Sequence, residues 1–459
     1  MKSSNFLFFR AFLFIAAASV GVVLSGCTQP GANTVSVPPS NAPVNSQPVT
    51  NTNANSNVAA PAQPSESLAK VPLTLPMVDA ILADEAAAAE MKSGLQITDE
   101  QIAKLRTSAR EAVGELSADS EVDESRSTDA STKAAIAKIR EIFGPEKSDA
   151  VVNFLRQRWT GSEGQASTSD SATPNSVPTD TRVVVNAPAY RMDIFKDGKL
   201  TKTYKIGIGY PEFPLPAGTR KANEIIFNPT WTPPDEPWVK GKFAPGKKVE
   251  AGSKDNPLGP IKIPIGSPSL IHGGKAAARL GTFASHGCVG LTNSQVQDFA
   301  SEISALAGSP ISLKDVKGYE KTKTETKNVK LGSPVTVELR YETIVATADG
   351  KLTIYRDVYE RGTNTEENLR RVLDAAGVSL DTLAAAEKQK VLDGLKKMAM
   401  DATGDAINTK DAVMAGDINA MKARGDKVTK NIKGVKQVVF DLAALKGKGY
   451  PMPVNLKAA

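Results

Sequence analysis

Apolar residues recur along this chain with rhythms that change from segment to segment. From Ala69 to Thr160 the spacing is helical. In "ITDEQIAKLRTSAREAVGEL", Ile102, Leu105, Ala109, Val113 and Leu116 fall on one face. Thr98 and Gln101 stand as a capping box, with Ile97 and Ile102 as hydrophobic staple. "STKAAIAKIREIFGPEKSDAVVNFLRQRW" predicts two further helices, parted by Gly144-Pro145. The rhythm then becomes alternation in "RVVVN" and "YRMDIFKDGKLTKTYKIGIG", strands that turn at Asp197-Gly198. "LTNSQVQDFASEISALAG" predicts a helix with Thr292 and Gln295 as capping box, Leu291 and Val296 as staple, and Gly308 as its stop. "SPVTVELRYETIVATADGKLTIYRDVY" predicts a second hairpin around Asp349-Gly350, appended to the strand-rich part. From about Thr363 the pattern is helical again, with Ser379 as an N-cap and Val378 and Leu383 as staple.

These patterns predict an α+β protein, a mostly-β domain flanked by helical regions at both ends. The expected boundaries are a leader over residues 1–27, a flexible tether over 28–68 and a helical module over 69–160. A linker over 161–180 follows, then the β domain over 181–316, the hairpin extension over 317–362 and a helical basic region over 363–459. The tether has almost no charge and too little apolar surface to offset the entropy of ordering it. Inside the β domain, "NPTWTPPDEPWVKGKFAPGKKVEAGSKDNPLGP" has no period. A loop of that length in a compact domain carries function as a lid or substrate wall, and Trp231 and Trp238 point the same way.

Composition and charge narrow the function classes. The chain is 41% hydrophobic and 23% charged, with a formal net charge of +6 that falls to about +4 without Lys2 and Arg10 of the leader. So mild a balance does not imply nucleic-acid binding. Beyond Lys396 basic residues outnumber acidic ones about two to one, which reads as a solvated face before an anion-binding one. The leader "MKSSNFLFFRAFLFIAAASVGVVLSGC" has a basic start, an apolar run and small residues before Cys27. It resembles a bacterial lipoprotein signal, with Cys27 as the lipidated residue and membrane anchor. The expected location is the cell envelope. Thr28, where inner-membrane lipoproteins often carry Asp, leans toward the outer membrane, facing the periplasm.

If Cys27 carries lipid, Cys288 has no partner within the chain, and an unpaired thiol in an oxidising compartment needs a reason. Both histidines lie beside it, in "IHGGKAAARLGTFASHGCVGL". A thiol attacks carbonyl carbon only as thiolate, so it needs a nearby base and donors for the oxyanion that forms. His272 ends a predicted strand. Cys288 follows the turn Ser285-His286-Gly287, where the amides of Gly287 and Cys288 are placed to face one oxygen. A zinc site built from His272, His286 and Cys288, or three inert core residues, would use the same side chains. The metal reading lacks a fourth ligand and a Cys pair. A papain-like pair would run cysteine first and histidine far downstream, the reverse of the order here.

"IHG" followed by "SHGCVGLTN" resembles the signature of the L,D-transpeptidases with a YkuD-type catalytic domain. "VVVNAPAYRMDIFKDGKL", "YKIGIG", "NPTWTPP" and "NPLGP" resemble the family's landmarks in order, over roughly Thr181 to Val316. The resemblance implies attack by Cys288 on peptidoglycan stem peptides with His272 as general base, oriented by a backbone carbonyl. It implies Ser285 and Gly287 in the oxyanion turn, and His286, Gly273, Gly290, Trp231 and Tyr190 along the substrate site. It implies no cofactor and no metal, and carbapenem-type β-lactams as inhibitors. Water or a free D-amino acid in place of the amine acceptor would give a carboxypeptidase or exchange enzyme. A catalytically silent wall-binding lipoprotein is the rival outside enzymology. The family commonly has Arg or Asn two residues after the cysteine and Asp at the following helix start; here these are Gly290 and Gln295. Lys275 and Arg279 are the charges nearest in sequence to replace them, though both read first as solvent-facing.

Overall fold

The computed structural model describes residues 66–69, 71–114, 128–160, 173–232, 247–266, 269–400, 429 and 431–456. The leader with Cys27, the tether up to Ser65, the linker up to Ala172, and Trp238 within the long loop lie outside the described residues.

The N-terminal helices are α1 (Glu66–Ala69), α2 (Leu75–Leu82), α3 (Glu85–Leu95), α4 (Asp99–Gly114) and α5 (Thr128–Thr160). Local sequence sets their ends. The Thr98 hydroxyl accepts from the Gln101 amide at 3.2 Å while the Gln101 side chain accepts from the Thr98 amide at 3.2 Å, and Ile97 and Ile102 are both buried. Gly144, at φ 74°, kinks α5 where the Gly-Pro break is predicted. Met77, Leu105, Ile139 and Leu155 close the core between these helices.

The strands that follow are β1 (Arg182–Asn186), β2 (Arg191–Lys196), β3 (Lys199–Lys205), β4 (Ile208–Gly209), β5 (Gly218–Phe227), β6 (Ile261–Pro264), β7 (Leu270–His272), β8 (Phe283–Ser285) and β9 (Val289–Gly290). The β2–β3 turn has Asp197 at φ 48° and Gly198 at φ 76°, the left-handed pair a two-residue hairpin demands. Helices α6 (Asn293–Leu306) and α7 (Leu313–Lys321) come next. After them run β10 (Lys327–Arg340), β11 (Ile344–Thr347), β12 (Asp349–Tyr355), α8 (Glu366–Ala375), α9 (Ala385–Met398) and β13 (Gln437–Lys446). The predicted capping box of α6 is present, with Leu291 and Val296 fully buried beside it.

The largest sheet has the order β3-β2-β1-β10-β5-β6-β7-β9. This corrects the expected boundary at residue 316. β10 is not part of an appended hairpin but lies inside the sheet, parallel to β1 and antiparallel to β5. Alternation shows that a segment is a strand but does not name its partner, and a parallel partner comes from far along the chain. Only β11 and β12 form the predicted hairpin, and β13 completes a three-stranded sheet with them. The region expected to be helical from 363 onward therefore contains helices and a strand. Ser379 caps a single 3-10 turn, Leu380–Thr382, rather than a long helix.

Both flanking regions meet the β domain at one loop, Gly209–Leu215. From the helical side the Thr74 hydroxyl donates to the Glu212 carbonyl at 2.5 Å, and Trp159 Nε1 to the Pro214 carbonyl at 2.8 Å. From the C-terminal side the Tyr359 hydroxyl donates to the Gly209 carbonyl at 2.9 Å and accepts from the Leu215 amide at 3.1 Å. The buried Glu212 carboxylate accepts from the Thr429 hydroxyl at 2.8 Å. These buried polar groups of the loop are matched from outside the β domain, which fixes its position. The guanidinium of Arg220 on β5 closes the end of α5, donating to the carbonyls of Trp159 at 2.9 Å and Thr160 at 2.6 Å.

Candidate active site

The cysteine window folds as strand, glycine turn, 3-10 turn (Ala277–Arg279), strand, tight turn and strand. β7 and β9 pair in parallel, with Ile271 opposite Val289 and His272 opposite Gly290. Two residues back on each side, Leu270 stands beside Cys288, and its amide faces the sulfur. Because side chains alternate along a strand, this register sets His272 and Cys288 toward the same face.

His272 is buried, and its Nδ1 lies 2.7 Å from the carbonyl of Gly273. A carbonyl can only accept, so Nδ1 carries the proton and Nε2 keeps the lone pair a base requires. Burial, and secondarily the positive charge of Lys275, push this imidazole down to about 3. His286 is pushed down to about 3 by the same two causes in the same order. Both rings are therefore neutral at physiological pH. Burial also raises the Cys288 thiol above its ordinary value, opposed by the Leu270 amide and the charge of Lys275.

The turn holding the thiol is tied by Ser285. Its buried hydroxyl donates to the Cys288 carbonyl at 2.6 Å and accepts from the Cys288 amide at 3.1 Å. This differs from the expected pairing of the Gly287 and Cys288 amides as oxyanion donors. The Cys288 amide is engaged by Ser285 because a serine three residues earlier closes a turn onto it. Gly287 sits at φ 87°, and its carbonyl accepts from Ser269 at 3.0 Å. A Cβ at Gly287 would stand only 3.1 Å from Cζ2 and 3.3 Å from Cη2 of Trp159. The far end of the helical module therefore packs directly on the cysteine turn. The same turn is walled by the loop before β5. Tyr210 and Phe213 meet the His286 ring edge-on at centroid distances of 5.1 and 4.7 Å.

Gly273 and Gly274 adjoin the start of α6, where the Asn293 side chain accepts from the Gly274 amide at 2.8 Å. The structure thus gathers His272, Gly273, Ser285, His286, Gly287, Cys288 and Gly290 into one place. Trp231 is half-buried and paired by its backbone with Val249, at 3.0 and 2.7 Å. Tyr190, at φ 49°, is buried within the core, and burial pushes its hydroxyl well above the ordinary value. Its surroundings are those of a core residue.

The description of the YkuD family, an L,D-transpeptidase catalytic domain, matches residues 180–337. This segment is similar to the catalytic domain of the L,D-transpeptidases. The match ends within β10, in agreement with that strand's place inside the sheet. The chain is 32% identical over 119 residues to the probable L,D-transpeptidase YbiS of Escherichia coli K12, covering 25% of this chain and 39% of that one. It is 27% identical over 128 residues to the putative L,D-transpeptidase YqjB of Bacillus subtilis, covering 27% and 65%. The chain thus spans about two fifths of the first relative's length. Among solved structures, the NMR structure of the E. faecium L,D-transpeptidase catalytic domain aligns at 19% identity over 36% of this chain and all of that one, with a TM-score of 0.24.

Three parts of the candidate site are not legible in the sequence. Trp159 ends a predicted helix of the N-terminal module with no local sign that it reaches the cysteine turn, although it is one of only three tryptophans in the chain. Tyr210 and Phe213 carry no local signal beyond being aromatics in a Pro-rich loop. Lys275, read as a solvent-facing charge, is half-buried over the site.

Proposed function

We propose that the chain is a peptidoglycan L,D-transpeptidase with Cys288 as nucleophile and His272 as general base. The observation that carries this is the β7–β9 register. It sets a neutral imidazole, with its free nitrogen fixed by the Gly273 carbonyl, on the same face as the lone thiol of a tight glycine turn.

In the first half-reaction Nε2 of His272 takes the thiol proton and Sγ bonds to the carbonyl carbon of the diamino acid in a donor tetrapeptide. The C–N bond to the terminal D-alanine breaks, and the leaving amine takes the proton from His272. In the second, the side-chain amine of another stem, or an amine of a wall-bound protein, attacks the thioester. A new C–N bond forms, the C–S bond breaks, and the amine proton returns through His272 to sulfur. The Gly287 amide, which has no acceptor among the described residues, is the donor best placed to meet the oxyanion. The reading places the enzyme in the cell envelope, held by lipid on Cys27 at the outer membrane and facing the periplasm, with carbapenems as acylating inhibitors.

The test incubates the full-length protein with disaccharide-tetrapeptide, beside Cys288→Ala, and follows products by mass spectrometry. Release of D-alanine with a cross-linked dimer, both lost in the variant, is the expected result. D-alanine without dimer would make the enzyme a carboxypeptidase. No release and no carbapenem adduct on Cys288 would overturn the enzymatic reading.

A further inference from the structure

Lys275 follows the glycine pair after His272, and its amide donates to the Leu291 carbonyl at 3.1 Å. Its side chain runs over Gly290. A Cβ at Gly290 would lie 2.9 Å from Cγ, 3.1 Å from Cε and 3.4 Å from Cδ of Lys275. The glycine is thus the groove in which the lysine stem lies, two residues from Cys288 and directly opposite His272 in the ladder. Among the described residues the ammonium has no carboxylate within ion-pairing distance, although the stem is held along its length.

We propose that the Lys275 ammonium, held by its stem in the Gly290 groove, is the charge that favours the Cys288 thiolate as the thiol gives up its proton. The inference rests on the transpeptidase reading only in taking Cys288 as the nucleophile. Five other titratable or charged groups bear on this cluster. They are His272 on β7, His286 in the turn before Cys288, Lys262 on β6, Arg279 in the 3-10 turn and Cys288 itself. None is acidic. The two imidazoles are neutral for the reasons given above, so neither supplies the positive charge a thiolate requires. Lys275 does so until its own proton is lost. Burial, opposed by attraction to the cysteine, brings it down to about 8. The same charge disfavours a proton on His272 in the resting enzyme, so the imidazole stays free as a base. Lys275 is therefore a positioning residue for charge, acting through sulfur.

The experiment measures the rate of Cys288 alkylation by iodoacetamide in the full-length protein from pH 5 to 10, located by peptide mass mapping. Wild type is compared with Lys275→Met, Lys275→Arg and Gly290→Ala. Lys275→Met keeps the stem but not the charge, and its rate profile is expected to move up by about one pH unit, about tenfold slower at pH 7. The two profiles should converge above about pH 8. Lys275→Arg should retain the wild-type profile within about twofold, since guanidinium keeps the charge. Gly290→Ala displaces the stem and should shift the profile in the same direction as Lys275→Met, which keeps the test available if one variant fails to fold. Superimposable profiles for wild type and Lys275→Met, or for wild type and Gly290→Ala, would overturn the proposal. Iodoacetamide carries no peptidoglycan element. Absence of D-alanine release with the expected alkylation shifts therefore refutes only the transpeptidase reading, and flat shifts with normal release refute only this one.

Discussion

Replacing Trp159 with Ala tests whether the helical module supports the cysteine turn or only adjoins it. The side chain is 1% exposed, one of the largest fully buried groups in the protein. Its indole N–H donates to the Pro214 carbonyl at 2.8 Å, and its six-membered ring lies against Gly287. Truncating a buried aromatic to Ala costs about 3–5 kcal/mol, because apolar contacts are lost and the cavity closes only in part. The Pro214 carbonyl, left without its donor, adds about 1 kcal/mol. The backbone at the end of α5 should hold its place, since Arg220 still binds the Trp159 and Thr160 carbonyls. The cavity therefore opens at the cysteine turn rather than along the helix. Urea unfolding should report the stability loss. Carbapenem acylation of Cys288, measured well below the unfolding midpoint, should slow by about tenfold or more as the Gly287 turn loses one wall. Trp159→Phe keeps much of the ring but not the N–H, and should lose about 1–2 kcal/mol. A Trp159→Ala protein with the expected loss of stability but an unchanged acylation rate would refute the coupling between the module and the cysteine turn.

Two further outcomes follow from the same site. Tyr359→Phe leaves the buried Gly209 carbonyl and Leu215 amide unpaired, and should cost about 1–3 kcal/mol in urea unfolding while leaving the fluorescence of the folded state unchanged. His272 is held down to about 3 from an ordinary 6.5, so below 6.5 the unfolded chain takes up this proton and the folded chain does not. That contribution to stability is complete above pH 6.5 and is lost as pH falls toward 3, about 2 kcal/mol of it between pH 7 and pH 5. Urea unfolding at the two pH values should show that difference shrink in His272→Gln, and an equal pH effect in both proteins would contradict a buried neutral imidazole.

The sequence by itself determined the elements that depend on neighbours in the chain. The capping boxes at Thr98 and Thr292, the Asp197-Gly198 turn and the kink at Gly144 are short-range matters of hydrogen bonds and allowed dihedrals, and all four appear where the pattern sets them. The cysteine and histidines were legible for the same reason, since they are rare and close together. Tertiary structure decided what the chain's order cannot encode locally. β10 reads equally well as a hairpin arm or a central strand, and only pairing with β1 and β5 makes it the latter. The Ser285 hydroxyl claims the Cys288 amide through the shape of one turn. Trp159 and Tyr359, 200 residues apart, converge on a single loop, and Lys275 leaves solvent for a groove that exists only because Gly290 has no side chain. Burial and long-range proximity set these roles, and both are properties of the folded chain rather than of any window within it.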